Sequence, residues 1–372
     1  MEDKIKKLLE WSTGKKVGPL SIEIWPTNRC NLKCAMCGTW ASRRRLEKAG
    51  VHYNPQNEIN SELSDERVIE IIKESIELGA KNFLITGGGE PFVRRDATLK
   101  MILEIKKHSL FGNLNTNGTL ISDEDALQIV KMEWDIIMFS VDGHNAEVHN
   151  YIKNVSGSFE KVVETLKKFK ELKKEFGFDK PKIVFNTVVT NKNYNNLFEI
   201  IEFASTVGCE DITFIPLIVY DEYIKSLGLD ETQNSEFYNL IPSSVDKSKE
   251  LGINTNLEDI RNQFIEDTTK MDDVILSEIK SLPGREFASL PCFQPFLHLL
   301  IKPDGEVTCC CMVDSLKDNL KNKSLKEIWY GKKFEYFRNK FLEKELPEDC
   351  KTCVFSQFVR NKELRTKLSE IL

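Results

Sequence analysis

No run in this sequence approaches the roughly 18 consecutive apolar residues that a membrane span needs, and the 41% hydrophobic and 30% charged content is that expected of a soluble globular chain. Met1 to Glu10 lack the basic start, apolar stretch and small-residue cleavage site of a signal peptide. A cytoplasmic location is expected on that reading. Positive charge is also short: a formal net charge of -6 argues against a general nucleic-acid binder, which needs a basic surface. The run Arg43-Arg44-Arg45 reads as a solvated loop or helix face. Histidine is scarce, and His52, His108, His144, His149 and His298 show no metal-ligand pattern, so each reads as structural. No P-loop, Ser-His-Asp arrangement or paired-carboxylate pattern stands out, which sets aside the commonest nucleotide-hydrolysis and acyl-transfer chemistries.

What the chain does hold is cysteine. A reducing compartment keeps thiols from pairing, so ten cysteines there point to metal rather than to structural disulfides. All but Cys209 fall in two groups, one around Cys34 and one between Cys292 and Cys353. Thiolates gathered in this way suit soft metals and iron-sulfur clusters. Cys209, outside both groups, reads as buried and inert.

From Ser21 to about Tyr220, short β-rich runs alternate with longer amphipathic segments, the rhythm of βα units and a parallel sheet. Candidate strands are Ser21 to Trp25, Asn82 to Thr86, Asn113 to Asn115, Ile136 to Ser140, Lys182 to Val188 and Asp211 to Leu217. Between them, Ser64 opens a helix whose apolar stripe runs through Val68, Ile71, Ile72 and Ile76 to Gly79. Another, Phe159 to Phe176 after Ser158, turns Val162, Val163, Leu166 and Phe169 inward. Residues 221–285 carry many charges and few β-branched runs and read as a helical connection. After Pro291 the pattern Leu297 to Ile301, a turn at Pro303-Asp304-Gly305, then Glu306 to Cys310 predicts a hairpin. Helices Leu325 to Tyr330 and Lys332 to Leu342 lead to the last cysteine pair.

Cys30, Cys34 and Cys37 gather three thiols in one short loop after the first candidate strand. A four-iron cubane normally takes four cysteines, so a tight set of three suggests a cluster with one iron left for an exogenous ligand. Zinc is the alternative, although no fourth Cys or His lies close in sequence. The C-x3-C-x2-C spacing resembles that of the radical S-adenosylmethionine (SAM) superfamily, and other segments resemble its motifs. Met36 stands where relatives often place an aromatic residue against adenine, a contact methionine can fill. Thr86-Gly87-Gly88-Gly89-Glu90-Pro91 resembles the family's GGE motif, which implies that Gly88, Gly89 and Glu90 bind the SAM amino group. Taken alone a glycine run is a turn. Phe139 to Gly143 resembles a segment whose serine contacts SAM, implying a role for Ser140 and, less directly, Asp142. Asn186 falls where relatives place a ribose-binding polar residue. Relatives often have Arg-Gly where this chain has Lys153-Asn154, so an arginine contact to the SAM carboxylate is not carried over.

Cys292, Gly305 and Cys310, followed by Cys350-Lys-Thr-Cys353, resemble the SPASM signature in its truncated, twitch form. The resemblance implies an auxiliary 4Fe-4S cluster on Cys292, Cys310, Cys350 and Cys353. Zinc on the same thiolates is the alternative. Cys309 and Cys311 are two apart on an expected strand and so should face away from Cys310. Each is read as a packing thiol, a spare ligand or a hydrogen-atom donor. Tyr220, with Asp221 and Glu222, lies just past the sixth strand and is a candidate substrate contact by position.

The expected fold is α/β: a partial (β/α)6 TIM-like barrel over 1–230, a helical connector over 231–285, and a small twitch-like α+β iron-sulfur domain over 286–372. The resemblance implies an oxidoreductase or isomerase that reductively cleaves SAM to a 5'-deoxyadenosyl radical and takes hydrogen from a substrate C-H bond. A flavodoxin- or ferredoxin-type reductant is implied as partner. Relatives that modify peptides often carry an N-terminal peptide-recognition domain, and only about twenty residues precede the first strand here. That favours oxidation or epimerisation of a small molecule such as a sugar or aminocyclitol; modification of a ribosomally made peptide is the alternative. An iron-sulfur electron carrier or a zinc-binding interaction module stays open.

Overall fold

The computed structural model describes residues 1–261, 287–314, 316–351, 353 and 361–372. The latter part of the expected connector lies outside these described residues. The strands are β1 (Ser21–Ile24), β2 (Asn82–Ile85), β3 (Phe111–Thr116), β4 (Ile136–Ser140), β5 (Lys182–Val188), β6 (Asp211–Ile215), β7 (Asn254–Thr255), β8 (His298–Ile301), β9 (Glu306–Thr308) and β10 (Asp318–Asn319). Packing divides the chain into two compact units, each assembled from separated stretches.

The larger unit holds Pro26–Asn60 and Ile85–Asn262. Its strands β3, β4, β5, β6 and β7 pair in sequence order, all parallel. Alternation sets their faces. In β4, Ile137 and Phe139 are fully buried while Ser140 turns to the other side, as period 2 requires. Parallel strands need a crossover, and the 19-residue helix Ser158–Phe176 between β4 and β5 supplies one. Its Val162, Leu166 and Phe169 recur at helical spacing and are fully buried, with Phe169 edge-on to Phe139 at 5.9 Å. Each such ring removed from water contributes about 1.5–3 kcal/mol. After β3 the chain turns at Gly118, whose φ is +73°; a Cβ there would also lie 2.7 Å from the Phe139 ring. Beyond β6 the described part of the connector is mainly the helix Glu231–Glu250, opened by a capping box between Asp230 and Gln233. The connector also adds β7, which the charged composition of this segment hid.

The smaller unit holds Met1–Trp25, Ser61–Leu84 and the described residues of Gln263–Leu372. Its strands run in the order β10-β9-β8-β1-β2. Here β1 pairs parallel with β8, matching Ser21 to His298 and Ile24 to Ile301. The β8–β9 hairpin forms as expected, with Gly305 at φ +84° in its turn. Ser64 caps the helix Asp65–Glu77 by accepting from the Arg67 N–H. Trp329, fully buried, donates from Nε1 to Val17 O at 2.8 Å and fastens the C-terminal helices to the N-terminal segment. One expectation is corrected: β9 ends at Thr308, not Cys310. The Thr308 hydroxyl donates to Cys310 O at 2.7 Å and bends the chain off the strand. No described helix is long and apolar enough to cross a membrane.

Candidate functional site

Cys30, Cys34 and Cys37 lie in an irregular stretch of the larger unit, ending at the first turn of the helix Gly38–Lys48. The Ala35 N–H donates to Ile152 O at 2.8 Å, and the Cys37 N–H to Cys34 O at 3.2 Å. Behind the loop sits Arg43, only 4% exposed, with its guanidinium 3.9 Å from the Tyr53 ring centre and 4.5 Å from that of Trp40. It donates to Asn28 O at 2.8 Å and pairs with Glu58 at 3.1 Å. Arg44 pairs with Asp221 at 2.9 Å. Of the three arginines expected on a solvated face, only Arg45 is exposed; aromatic rings and carboxylates distant in sequence take up the other two.

The glycine run packs against this loop. Gly89 N–H donates to Thr27 O at 3.1 Å, Glu90 N–H to Arg29 O at 2.9 Å, and Thr39 Oγ1 to Gly88 O at 2.6 Å. A Cβ on Gly89 would fall 2.1 Å from Arg29 O, so close backbone approach, rather than a positive φ, demands glycine. Glu90 is buried and accepts from Phe92 N, Thr116 Oγ1 and Asn117 N at 3.1, 2.6 and 2.7 Å. Burial pushes its carboxyl above the ordinary value despite those bonds.

These elements enclose a cavity of about 390 Å³. The three cysteines, Met36, Gly88, Gly89, Glu90, Ser140, Asn186 and Tyr220, each singled out by the sequence, all line it. Ser140 and Asn186 are register partners on β4 and β5. Asn115 and Asn186 each leave a buried Oδ1 without a partner, acceptors that a polar ligand would satisfy. Asp221 and Glu222 do not line the cavity: Asp221 caps the short helix Glu222–Lys225 and holds Arg44, and Glu222 pairs with Lys225.

Three further lining residues were given no role from the sequence. Lys153 is 2% exposed and reaches Asp142 Oδ2 at 2.6 Å. Asn117 donates toward Cys30 Sγ at 3.9 Å and to Asn31 Oδ1 at 3.0 Å. Asn115, on β3, donates to Thr86 Oγ1 at 3.3 Å. The polar run Asn113 to Leu120 after a strand was the available signal for the asparagines. For Lys153 the signal was its place where relatives have the Arg of an Arg-Gly pair. Burial pushes the thiols up, Cys30 to about 11 and Cys34 to about 12, so they stay protonated until a metal displaces the proton.

In the smaller unit, Cys292, Cys310, Cys350 and Cys353 lie near enough that each of the last three raises the Cys292 thiol, although burial is the main cause. The Gln294 N–H donates to Cys292 Sγ at 3.4 Å. Cys311 hydrogen-bonds to Cys310 and lowers that thiol below its ordinary value. Cys309 is 1% exposed and Cys311 exposed, so the two do not share the face expected of strand neighbours. Among the described residues no group of three His, Cys, Asp or Glu is placed to hold a single metal ion. The four cysteines and the soft character of their sulfurs suit a cluster, which spreads its ligands over several irons.

The sequence profile of the Radical SAM superfamily matches residues 24–204, and that of the SPASM iron-sulfur cluster-binding domain matches residues 292–354. The chain belongs to the radical SAM superfamily. Its cofactors are a catalytic 4Fe-4S cluster, an auxiliary cluster and SAM. This radical SAM chain is 24% identical over 337 residues to an AdoMet-dependent heme synthase of Methanosarcina barkeri, covering 89% of this chain and 87% of that one. It is 30% identical over 182 residues to the mycofactocin maturase MftC of Mycolicibacterium smegmatis, covering 49% and 41%. A tungsten-containing aldehyde ferredoxin oxidoreductase cofactor-modifying protein of Pyrococcus furiosus is 27% identical over 210 residues, covering 52% and 53%. The chain thus spans about half the length of these last two relatives. Among solved structures, Streptococcus suis SuiB bound to its precursor peptide SuiA superposes with a TM-score of 0.64 at 16% identity, covering 95% and 74%. That likeness is one of fold.

Proposed function

We propose that this radical SAM enzyme modifies a peptide. The observation that carries the reading is its similarity, over the catalytic region, to the mycofactocin maturase, joined by a fold shared with a SuiB structure that holds a precursor peptide. These relatives fit the peptide alternative better than a sugar or aminocyclitol. The lining of the cavity is compatible with a chain entering from solvent, since Tyr220 at its mouth is 43% exposed.

In this reading Cys30, Cys34 and Cys37 would hold the catalytic cluster, and Cys292, Cys310, Cys350 and Cys353 the auxiliary one. When bound, the cluster and SAM supply a one-electron reductive cleavage and a carbon radical able to take hydrogen from an unactivated C-H bond. The chain's own contribution is placement. Gly88 and Gly89 let the SAM-binding edge approach the cysteine loop; Ser140, Asn115 and Asn186 offer polar atoms to the nucleoside and Met36 an apolar surface. The buried Lys153–Asp142 pair keeps fixed charge beside Cys34 and excludes water from the floor of the site.

The test is anaerobic incubation of the reconstituted enzyme with SAM, a reductant of flavodoxin or dithionite type, and a short precursor peptide encoded beside it. Mass spectrometry should find 5'-deoxyadenosine together with a peptide lighter by two hydrogens or, for epimerisation, carrying solvent deuterium. The full-length similarity to heme synthases favours a second reading, a tetrapyrrole substrate. Turnover of a porphyrin carboxylate with no change in any peptide would replace the first reading with this one.

A further inference from the structure

We propose that the larger unit holds a second pocket, adjoining the cysteine cavity, that seats one large aliphatic or aromatic side chain of the peptide next to the residue that reacts. The inference deepens the peptide reading and rests on it.

The pocket lies where parallel β/α sheets gather their ligands, beyond the carboxyl ends of the strands. Val189 directly follows β5; Pro216, Leu217 and Val219 follow β6; and all four line a cavity of about 230 Å³. Pro216 and Leu217 line the cysteine cavity as well, so the two spaces share a wall. Val219 faces the smaller space and Tyr220 the larger, and the two are 54% and 43% exposed. A chain that enters past Tyr220 therefore has the rim of the smaller pocket beside it.

Size and chemistry name the occupant. Pockets that enclose a whole small ligand run from about 300 to 1,000 Å³, whereas an apolar cavity of about 150 Å³ already accepts a benzene ring. The space thus fits one side chain and not a whole substrate. Leu229, Phe237 and Ile260 add to its apolar wall, and no charged side chain lines it among the described residues. Phe237, which is buried, meets Tyr238 edge-on at 5.4 Å. The amide on the wall, Asn234, turns its Nδ2 to Leu229 O at 3.4 Å. A charged side chain would lose hydration here and gain no counter-charge, while an apolar one gains burial.

The walls are fixed before anything binds. The Val189 N–H donates to Ile215 O at 2.9 Å. Asn191 ties the segment leading to Gly228, also on the lining, through its N–H to Leu227 O and its Nδ2 to Ser226 O, each at 2.9 Å. Asp221 accepts from the Ile224 N–H at 2.8 Å and holds Arg44 at 2.9 Å, which secures the chain just past Val219 and Tyr220. A surface ordered in advance costs less to occupy.

The test pairs binding with turnover. Cluster-loaded enzyme with SAM, titrated with N-acetyl-phenylalanine amide and N-acetyl-lysine amide and followed by ligand-observed NMR, should bind the first at least about tenfold more tightly, the factor expected for burying one such side chain. Val219→Asp, a change at an exposed position, should weaken the phenylalanine amide about tenfold and tighten the lysine amide. In turnover of the precursor peptide, lysine placed in turn at each apolar residue flanking the modified one should cut kcat/KM at least about tenfold at one position, and Val219→Asp should restore part of that loss, a rescue that general damage to the fold would not produce. Equal binding of the two amides, a Val219→Asp enzyme that ranks them as the parent does, or a lysine scan with no sensitive position overturns the pocket. If the precursor peptide is nevertheless modified, only the pocket has failed; amide binding that follows the charge at position 219 with no peptide modified upholds the pocket and rejects the peptide reading.

Discussion

Lys153 Nζ lies 2.6 Å from Asp142 Oδ2, with both side chains essentially sealed from solvent. Burial pulls the lysine pKa down, but the Asp142 carboxylate, the largest opposing influence, holds the ammonium charged. Asp142 is itself anchored by the Val188 N–H at 2.8 Å on Oδ1. Asp142→Asn keeps that bond and strips Lys153 of its counter-charge. The expected loss is roughly 3–5 kcal/mol of unfolding free energy. The double variant Asp142→Asn with Lys153→Met should recover part of it. Urea unfolding of the three proteins side by side measures both steps.

Asp135 gives the fold an acid-sensitive joint. Its carboxylate accepts from Gly112 N at 2.9 Å and pairs with Lys106 at 2.9 Å and Lys180 at 2.5 Å. Burial raises its pKa, yet Lys180, Lys106 and the Gly112 amide together bring it below the ordinary 3.8. A depressed folded value means stability that is present above the unfolded pKa and is lost as pH falls through the folded one. Asp135→Asn should therefore lower the urea midpoint at pH 7 and differ less from the parent below pH about 3.8.

Iron content separates the two cysteine sets. Reconstituted enzyme should hold roughly eight irons per chain, and Cys34→Ala and Cys350→Ala should each fall to roughly four. Only the first should abolish 5'-deoxyadenosine formation outright. Iron and sulfide assays with low-temperature electron paramagnetic resonance read the difference. Equal iron in Cys350→Ala and parent would remove Cys350 from the auxiliary ligands.

Much of this was legible because the signals are local. Three thiols within eight residues need only their spacing to declare a cluster, and the strand Ile136 to Ser140 is written in its alternation. What escaped depends on partners remote in sequence. Arg43 reads as a surface charge until Trp40, Tyr53 and Glu58 surround it. Lys153 is an ordinary helix lysine until Asp142 buries with it. Cys309 and Cys311 were placed on a common strand face, but one hydroxyl, that of Thr308, ends the strand before they are reached. The pairing of Ser21 with His298 joins distant parts of the chain that no periodicity connects.

Gly89 tests whether the glycine run serves the cysteine loop as well as SAM. A methyl group there would meet Arg29 O at 2.1 Å and Asn28 C at 2.6 Å, both backbone atoms immediately before Cys30. At Gly88 the nearest obstacle is Asn28 Oδ1 at 2.3 Å, the end of a side chain that can swing aside. Gly89→Ala must therefore push the loop back by about 1 Å, a misplacement that costs on the order of 100-fold in rate when reacting groups are moved apart. Gly88→Ala should cost much less, since it displaces only a rotamer. Iron from the auxiliary cluster should be retained in both variants. Rates of 5'-deoxyadenosine release rank them, and a Gly88→Ala enzyme slower than Gly89→Ala would show that the run acts on SAM alone, with the cysteine loop indifferent to it.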